Sequence, residues 1–376
     1  MATRIVGGVA NVNYRVRLRD SEEMGAVVRF RPRAKDDPER RTFFNQFAIY
    51  VGGGKSAEAH GLRAAGAEGL APELLYYSEG VPELCPKKCF RNIQTSFILT
   101  QGGDVMITKE LNGRPLTQAD LKDPARLEKV LAAVVRLHKI KVDEKDMPYP
   151  TREWGYRVLP VINYTLDYMR KQGYAKTLPE DMPQILSDLE RWDTLIADSV
   201  DVEQCKHSGY SAVGHTDPVP ANILECADGS IAFVDFEYSS RCHPDYDVGK
   251  LAAAAMFSRS EDAVCHEIWS RCGGGFGDGS RVGSSLARYH GLKIFEIAFR
   301  ALCCAVNAYE SSLPFKASWS TATTWGDARD LLFDEVREKM ASPEMQIHQK
   351  NLAGTSGTRG APEASEEGGG KRQKIA

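Results

Sequence analysis

Four side chains in one stretch of this sequence carry oxygen donors at spacings that suit group transfer: Asp217, Asn222, Asp235 and Glu237. They fall within residues 215–247, HTDPVPANILECADGSIAFVDFEYSSRCHPDYD. Moving a phosphoryl group from a nucleotide to a hydroxyl needs an acceptor for the hydroxyl proton and a divalent metal ion to neutralise the charge that develops. Asp217 suits the first task. Asn222 lies five residues on, so a curled loop can offer its carbonyl oxygen to a metal ion while Asp217 points at the acceptor. Asp235 follows Ile231, Ala232, Phe233 and Val234, an apolar run that reads as a buried strand with the carboxylate fixed at its end. The donors are all oxygen, which is what Mg2+ takes.

Other elements must bring these groups together. Asp228-Gly229 is a tight-turn signal, and it joins the strand-like Asn222-Ile223-Leu224 to the next strand as a hairpin. Near the N-terminus, RIVGGVANVNYRVRL reads as strand, glycine turn, strand. Gly7 and Gly8 let backbone approach a bulky anion without a Cβ in the way, Val9 and Ala10 continue the turn, and Asn11 and Asn13 add amide donors. A Gly-Gly hairpin alone is more often only a hairpin; with the downstream stretch it reads as a cover for nucleotide phosphates. The next strand, GAVVRFR, places Arg29 where a cation for ATP phosphates is needed, and Glu58, in the helix-like KSAEAHGLRAA, is a candidate partner for it. Strand patterns at 97–100 and 105–109 complete a small lobe. ELNGRPL at 110–116 breaks the pattern and suits a hinge. Beyond it, Asp123-Pro124 opens a helix as N-cap and N1, and further helical patterns run over 154–168, 183–196, 247–257 and 292–309.

These motifs resemble a known family. H-x-D-x-x-x-x-N-I-L, followed by D-F-E-Y-S-S and D-Y-D, is similar to the aminoglycoside phosphotransferase and choline kinase superfamily, and D-F-E-Y-S-S resembles its choline/ethanolamine kinase branch. The resemblance implies an α+β, protein-kinase-like fold of two lobes, a small N-terminal β-sheet lobe and a larger, mainly helical C-terminal lobe. It implies Asp217 as base, Asn222, Asp235 and Glu237 as metal ligands, and Asp247 as a brace for the loop. Residues 7–11, Asn13, Arg29 and Asp235 are then the ATP and Mg2+ binding groups, with Asp217 and Tyr238 at the acceptor. The corresponding division is a nucleotide lobe over 1–110, a hinge over 111–116, a catalytic and substrate lobe over 117–341, and a disordered tail over 342–376, where glycine, serine, glutamate and lysine leave little to bury. The implied reaction is phosphorylation of choline or ethanolamine in phospholipid head-group synthesis. Departures from the family pattern, Ala254 where a glutamate is usual and no W-x-x-W on the late helix, keep open another hydroxylated metabolite or a binding protein without turnover.

Composition agrees with a soluble enzyme. The 376 residues are 42% hydrophobic, enough to fill a core in each lobe, and the net charge of -3 gives no excess positive field for nucleic acid. Nine cysteines without paired zinc spacing read as reduced thiols, and no run is long enough to span a bilayer, so a cytoplasmic protein, either monomer or homodimer, is expected. An ammonium acceptor would need aromatic faces or a carboxylate, for which Tyr238, Tyr246, Phe257, Phe295, Phe299, Trp319 and Trp325 are the candidates. Gly52-Gly53-Gly54-Lys55-Ser56 is not a phosphate loop, because Ile49 stands where its first glycine is required.

Overall fold

The structure, a computed structural model of the chain, describes residues 2–5, 12–17, 25–32, 55–78, 103–143, 145–146, 159–199, 213–274, 282–310 and 322–356. The expected glycine turn at 7–11, the strand at 97–100, the helix start at 154–158, Trp319 and the tail beyond 356 lie outside the described residues.

The N-terminal strands alternate as their sequence pattern requires. β1 (Ala2–Ile5), β2 (Val12–Arg17) and β3 (Gly25–Pro32) pair antiparallel, and β3 then pairs with β5 (Gly103–Lys109), which pairs with β4 (Leu74–Ser78). One face of this sheet buries Val28 and Val105 against Tyr14, Val16, Tyr76 and Ile107. The register sets Asn13, Arg29 and Met106 side by side on the other face, and Met106 packs there with Ala59 and Leu62 of helix α1 (Lys55–Ala67). Period-two alternation therefore decides that Arg29 faces the helix and its glutamate. Strand β4 was not legible in the sequence as a partner of β5. Its half-buried LLYYS lacks clear alternation, and a shift in register between Leu74 and Tyr76 marks the irregularity.

The segment expected as a hinge is itself a short strand, β6 (Gly113–Pro115), paired antiparallel with the strand Ile223–Cys226. Arg114 holds it there through Asp120, at 2.9 and 3.0 Å, and Glu225, at 2.6 Å. Asp120 belongs to the short helix α2 (Gln118–Leu121), and α3 (Pro124–His138) opens on Asp123, whose side chain accepts from the Ala125 amide. Helices α4 (Leu159–Gln172), α5 (Met182–Asp198), α6 (Pro244–Ala254), α7 (Arg259–Arg271), α8 (Val282–Glu310), α9 (Trp325–Ala341) and α10 (Pro343–Ser356) make up most of the rest. Helix α8 is the spine of this lobe: Phe295, Ile297, Ala298, Ala301 and Leu302 are fully buried on it. Each large apolar side chain so buried stabilises by about 1.5–3 kcal/mol relative to exposure, so residues on α8 are held on a stiff support. No helix among the described residues is long and apolar enough to cross a membrane.

Two corrections concern helices. The expected tail over 342–376 is helical through Ser356: the Ser342 hydroxyl accepts from the Met345 amide, and Met345 and Leu352 are buried in the large-lobe core. Only a few of its turns carry an apolar anchor, and Ile347 points to solvent, so the segment has no periodic signal. Helices α7 and α9 add to the expected set, and each starts on a capping box, Ser258 with Glu261 and Thr324 with Asp327.

Candidate active site

The loop from strand β7 (Val213–Gly214) to Asn222 is built around backbone strain. Thr216 has φ 59, costly for a β-branched residue, and each of its polar groups is engaged. Its amide donates to Asp247 Oδ1 at 2.7 Å, its hydroxyl donates to the Tyr238 carbonyl, and its carbonyl accepts from Lys250 Nζ at 2.7 Å. Fully buried Asp247 also takes the His215 amide at 2.9 Å and His138 Nε2 at 2.9 Å. The brace expected at Asp247 is thus a physical one, and His138, at the end of α3, is a packed histidine set edge-on to Trp269. His215 Nδ1 accepts from the Asp217 amide at 3.3 Å, which leaves Nε2 as the protonated nitrogen that donates to the Val234 carbonyl at 2.8 Å.

Asp217 follows directly, half-buried. Asn222 Nδ2 donates to its carbonyl at 3.0 Å and to its Oδ2 at 3.1 Å. Burial raises the Asp217 pKa above the usual carboxylate value, Lys250 works against that, and Glu296 adds to it. The hairpin predicted from Asp228-Gly229 is present: β8 (Ile223–Cys226) pairs with β9 (Ile231–Phe233), and Gly229 takes φ 80 at the turn. Its far end ties Asn222 to the neighbourhood of Asp235, because the Val234 amide donates to the Asn222 carbonyl at 2.9 Å.

Asp235 sits in the left-handed region at φ 68 as the chain leaves β9, and Glu237 and Tyr238 lie in the 3-10 turn that follows. Arg29 reaches across from the small lobe and forms ion pairs with both Asp235 and Glu58. Burial alone would lower the Arg29 pKa; Asp235, Glu58 and Glu237 outweigh that and raise it. Glu58 is therefore a buried clamp residue, not a solvated helix glutamate. The donor types suit a hard divalent cation: Asn222 uses its amide N–H on Asp217, so its oxygen is the group it can offer, and Asp235 and Glu237 are carboxylates, the first of them ion-paired with Arg29.

Three further charged residues that sequence reasoning gave no role act electrostatically on Asp217. Lys250 pairs with Glu296 at 3.3 Å, and Arg300 pairs with the same Glu296 at 2.9 Å. Lys250 stands one turn after Asp247 on α6, and Glu296 and Arg300 are an i,i+4 pair on α8; that spacing was the available signal. Of the aromatic candidates, Phe257 and Phe295 are sealed in the two cores, whereas Tyr238, Tyr246, Phe299 and Trp325 are partly buried against the large-lobe core. Gly7, Gly8, Val9, Ala10 and Asn11 lie outside the described residues, and Asn13 is directly across from Arg29.

The model of the phosphotransferase enzyme family matches residues 2–290. Among solved structures, the chain is similar to a choline/ethanolamine kinase family protein from Mesorhizobium loti at 17% identity, over 94% of this chain and 92% of that one, with a TM-score of 0.62. It is similar to a choline kinase from Cryptosporidium parvum at 12% identity, over 95% and 92% of the two chains, with a TM-score of 0.60. An ethanolamine kinase from Plasmodium vivax matches at 15% identity, over 90% and 84%, with a TM-score of 0.57. No curated protein matches the sequence. At these identities the likeness is one of fold, the two-lobed, kinase-like α+β arrangement that the sequence motifs imply.

Proposed function

The chain belongs to the phosphotransferase enzyme family, and on that premise we infer that it is an ATP-dependent kinase that phosphorylates the hydroxyl of a small alcohol, choline or ethanolamine in the first instance. The observation that carries this reading is the pairing of two devices: Asp217 presented on a strained, fully braced loop, and Arg29 brought from the other lobe onto Asp235 and Glu58. Asp217 orients the acceptor hydroxyl and receives its proton. Arg29 and Asn13, together with residues 7–11, receive the phosphates. Asn222, Asp235 and Glu237 would hold Mg2+, whose chemistry is to neutralise charge on the phosphate oxygens. Tyr238, whose carbonyl anchors Thr216, stands on the acceptor side.

A second reading changes the acceptor. Glu296, a buried carboxylate whose charge acts on Asp217, is already shared by Lys250 and Arg300. That balance favours a neutral acceptor, a sugar or another hydroxylated metabolite, over a cationic one. ADP release measured across amino alcohols, sugars and aminoglycosides separates the two: turnover with choline or ethanolamine supports the first, and turnover with sugars alone supports the second. No ADP release with any acceptor, alongside nucleotide binding, would make the chain a binding protein and sink both.

Lys250 gives a sharper test of the base. Lys250→Met removes the cation that holds the Asp217 pKa down, so that pKa rises further. Because the ionised carboxylate is the working form, the acidic limb of the kcat profile should move to higher pH, with activity recovered at alkaline pH. The cost in stability should be about 1–3 kcal/mol, from the Thr216 carbonyl left unpaired. An acidic limb that stays in place would remove Asp217 as the titrating group.

A further inference from the structure

Far from Asp217 in the chain, three helices bring together side chains that the kinase chemistry does not use. His290 on α8 and Glu344 and His348 on α10 offer one ligand atom each, all within 4.8 Å of one another. Glu344 and His348 are spaced i,i+4 and so share a helix face, and the His290 and His348 rings lie 4.7 Å apart between centroids with planes 20° from parallel. His348 is only 5% exposed, and neither of its ring nitrogens has a hydrogen-bond partner. Buried His266 on α7, electrostatically coupled to both other histidines, likewise has an unpartnered Nε2. A buried polar atom left unmatched is destabilising and rare in native structures, so several gathered in one place call for an explanation such as a bound ion. A cavity of about 50 Å³ reaches His290 and Glu344, and one water needs only about 10–15 Å³ of such space.

We propose that His290, Glu344 and His348 form a zinc site that staples α10 to α8. Two imidazoles and a carboxylate are a ligand set for Zn2+, with water in the fourth position, and they differ from the all-oxygen set beside Asp217 that suits Mg2+. The nearby cations leave this feasible: Lys293 is neutralised by Asp262 at 2.7 Å, and Lys339 pairs with Glu335 at 3.6 Å. Arg259, on Glu344 at 3.1 Å, is 83% exposed and can be displaced at little cost. The site joins the last described helix to the one that carries Glu296 and Arg300, so it fixes the back of the acceptor side without touching the reaction.

The full chain, stripped with a chelator and kept in excess Mg2+ to fill the oxygen site, should bind one equivalent of Co2+ with the visible absorption of a low-coordinate ion, which Zn2+ then displaces. Zn2+ at roughly a hundred times its Kd should raise Tm by about 3 °C. Glu344→Gln and His348→Phe should abolish both responses. His348→Phe should leave the metal-free Tm unchanged or higher, since an unmatched imidazole gives way to an apolar ring. The proposal is overturned if the parent chain shows neither response, which would make the pair of rings a packing contact. It is equally overturned if both variants keep the responses, which would place the metal on other groups such as the thiols. None of these readouts depends on the acceptor or on turnover.

Discussion

Asp217→Asn is expected to lower kcat for phosphoryl transfer by roughly 10²–10⁴-fold while leaving nucleotide affinity within about twofold of the parent. The split follows from where the groups lie. Asparagine keeps the size of the side chain and an oxygen that can still accept from Asn222 Nδ2, now at 3.1 Å from Oδ2, so the loop has no reason to move. What it lacks is a basic oxygen for the hydroxyl proton. The groups read as phosphate and metal partners, Arg29, Asn222 and Asp235, are untouched. Burial raises the Asp217 pKa, so in the parent enzyme kcat should climb as pH rises through that pKa, and in Asp217→Asn this limb should vanish. ADP release and nucleotide titration on the same preparation check both halves. Undiminished turnover would remove Asp217 from the chemistry and, with it, the assignment of the whole loop.

Much of this arrangement could be read before any coordinates, and the reason is local. Asp123-Pro124 caps α3, Asp228-Gly229 turns the hairpin, and alternation in β3 sets which way Arg29 faces; each is decided by a few neighbouring residues. The pairing of Arg29 with Glu58 could be posed as a question because both residues occupy kinase-like positions, but only burial of Glu58 answers it. The misses are of another kind. Lys250, Glu296 and Arg300 meet one another from two helices and act on Asp217 by charge, and nothing in either helix alone points to the other. Helix α10 rests on Met345 and Leu352 finding places in a core built by residues more than a hundred positions earlier as well as by its neighbours, so tertiary packing overrides a weak local pattern. Strand β4 is placed by pairing with β5 across a long connection, and register of that kind is not encoded in composition.

Asp247→Ala should destabilise the chain by about 3–9 kcal/mol and take activity with it, although Asp247 touches no reacting atom. Its two oxygens satisfy the amides of His215 and Thr216 and the Nε2 of His138. Without them, two buried backbone donors are orphaned, and His138, whose Nδ1 already lacks a partner, is left with no hydrogen bond on its ring; each such loss costs about 1–3 kcal/mol. Thr216 would also lose a restraint that keeps it at φ 59, and the loop can then relax and carry Asp217 away from Asn222. Should the alanine variant fail to fold, Asp247→Asn is the usable form: one oxygen remains for one amide, while the new NH2 meets the other donors. It should fold, melt lower, and lose kcat more than nucleotide affinity. The pH dependence has a definite sign. Burial pushes the Asp247 pKa up, but His138, His215 and the amide bonds overcome this, so it falls below the ordinary 3.8 in the folded chain. A carboxylate with a lowered folded-state pKa contributes its full stability above the unfolded value and loses it as pH falls through the folded one. The gap in Tm between the parent and Asp247→Asn should therefore be constant near neutral pH and narrow below about pH 4. A gap that is absent at neutral pH, or that widens on acidification, would mean that the charge at Asp247 is not what keeps the strained loop in place.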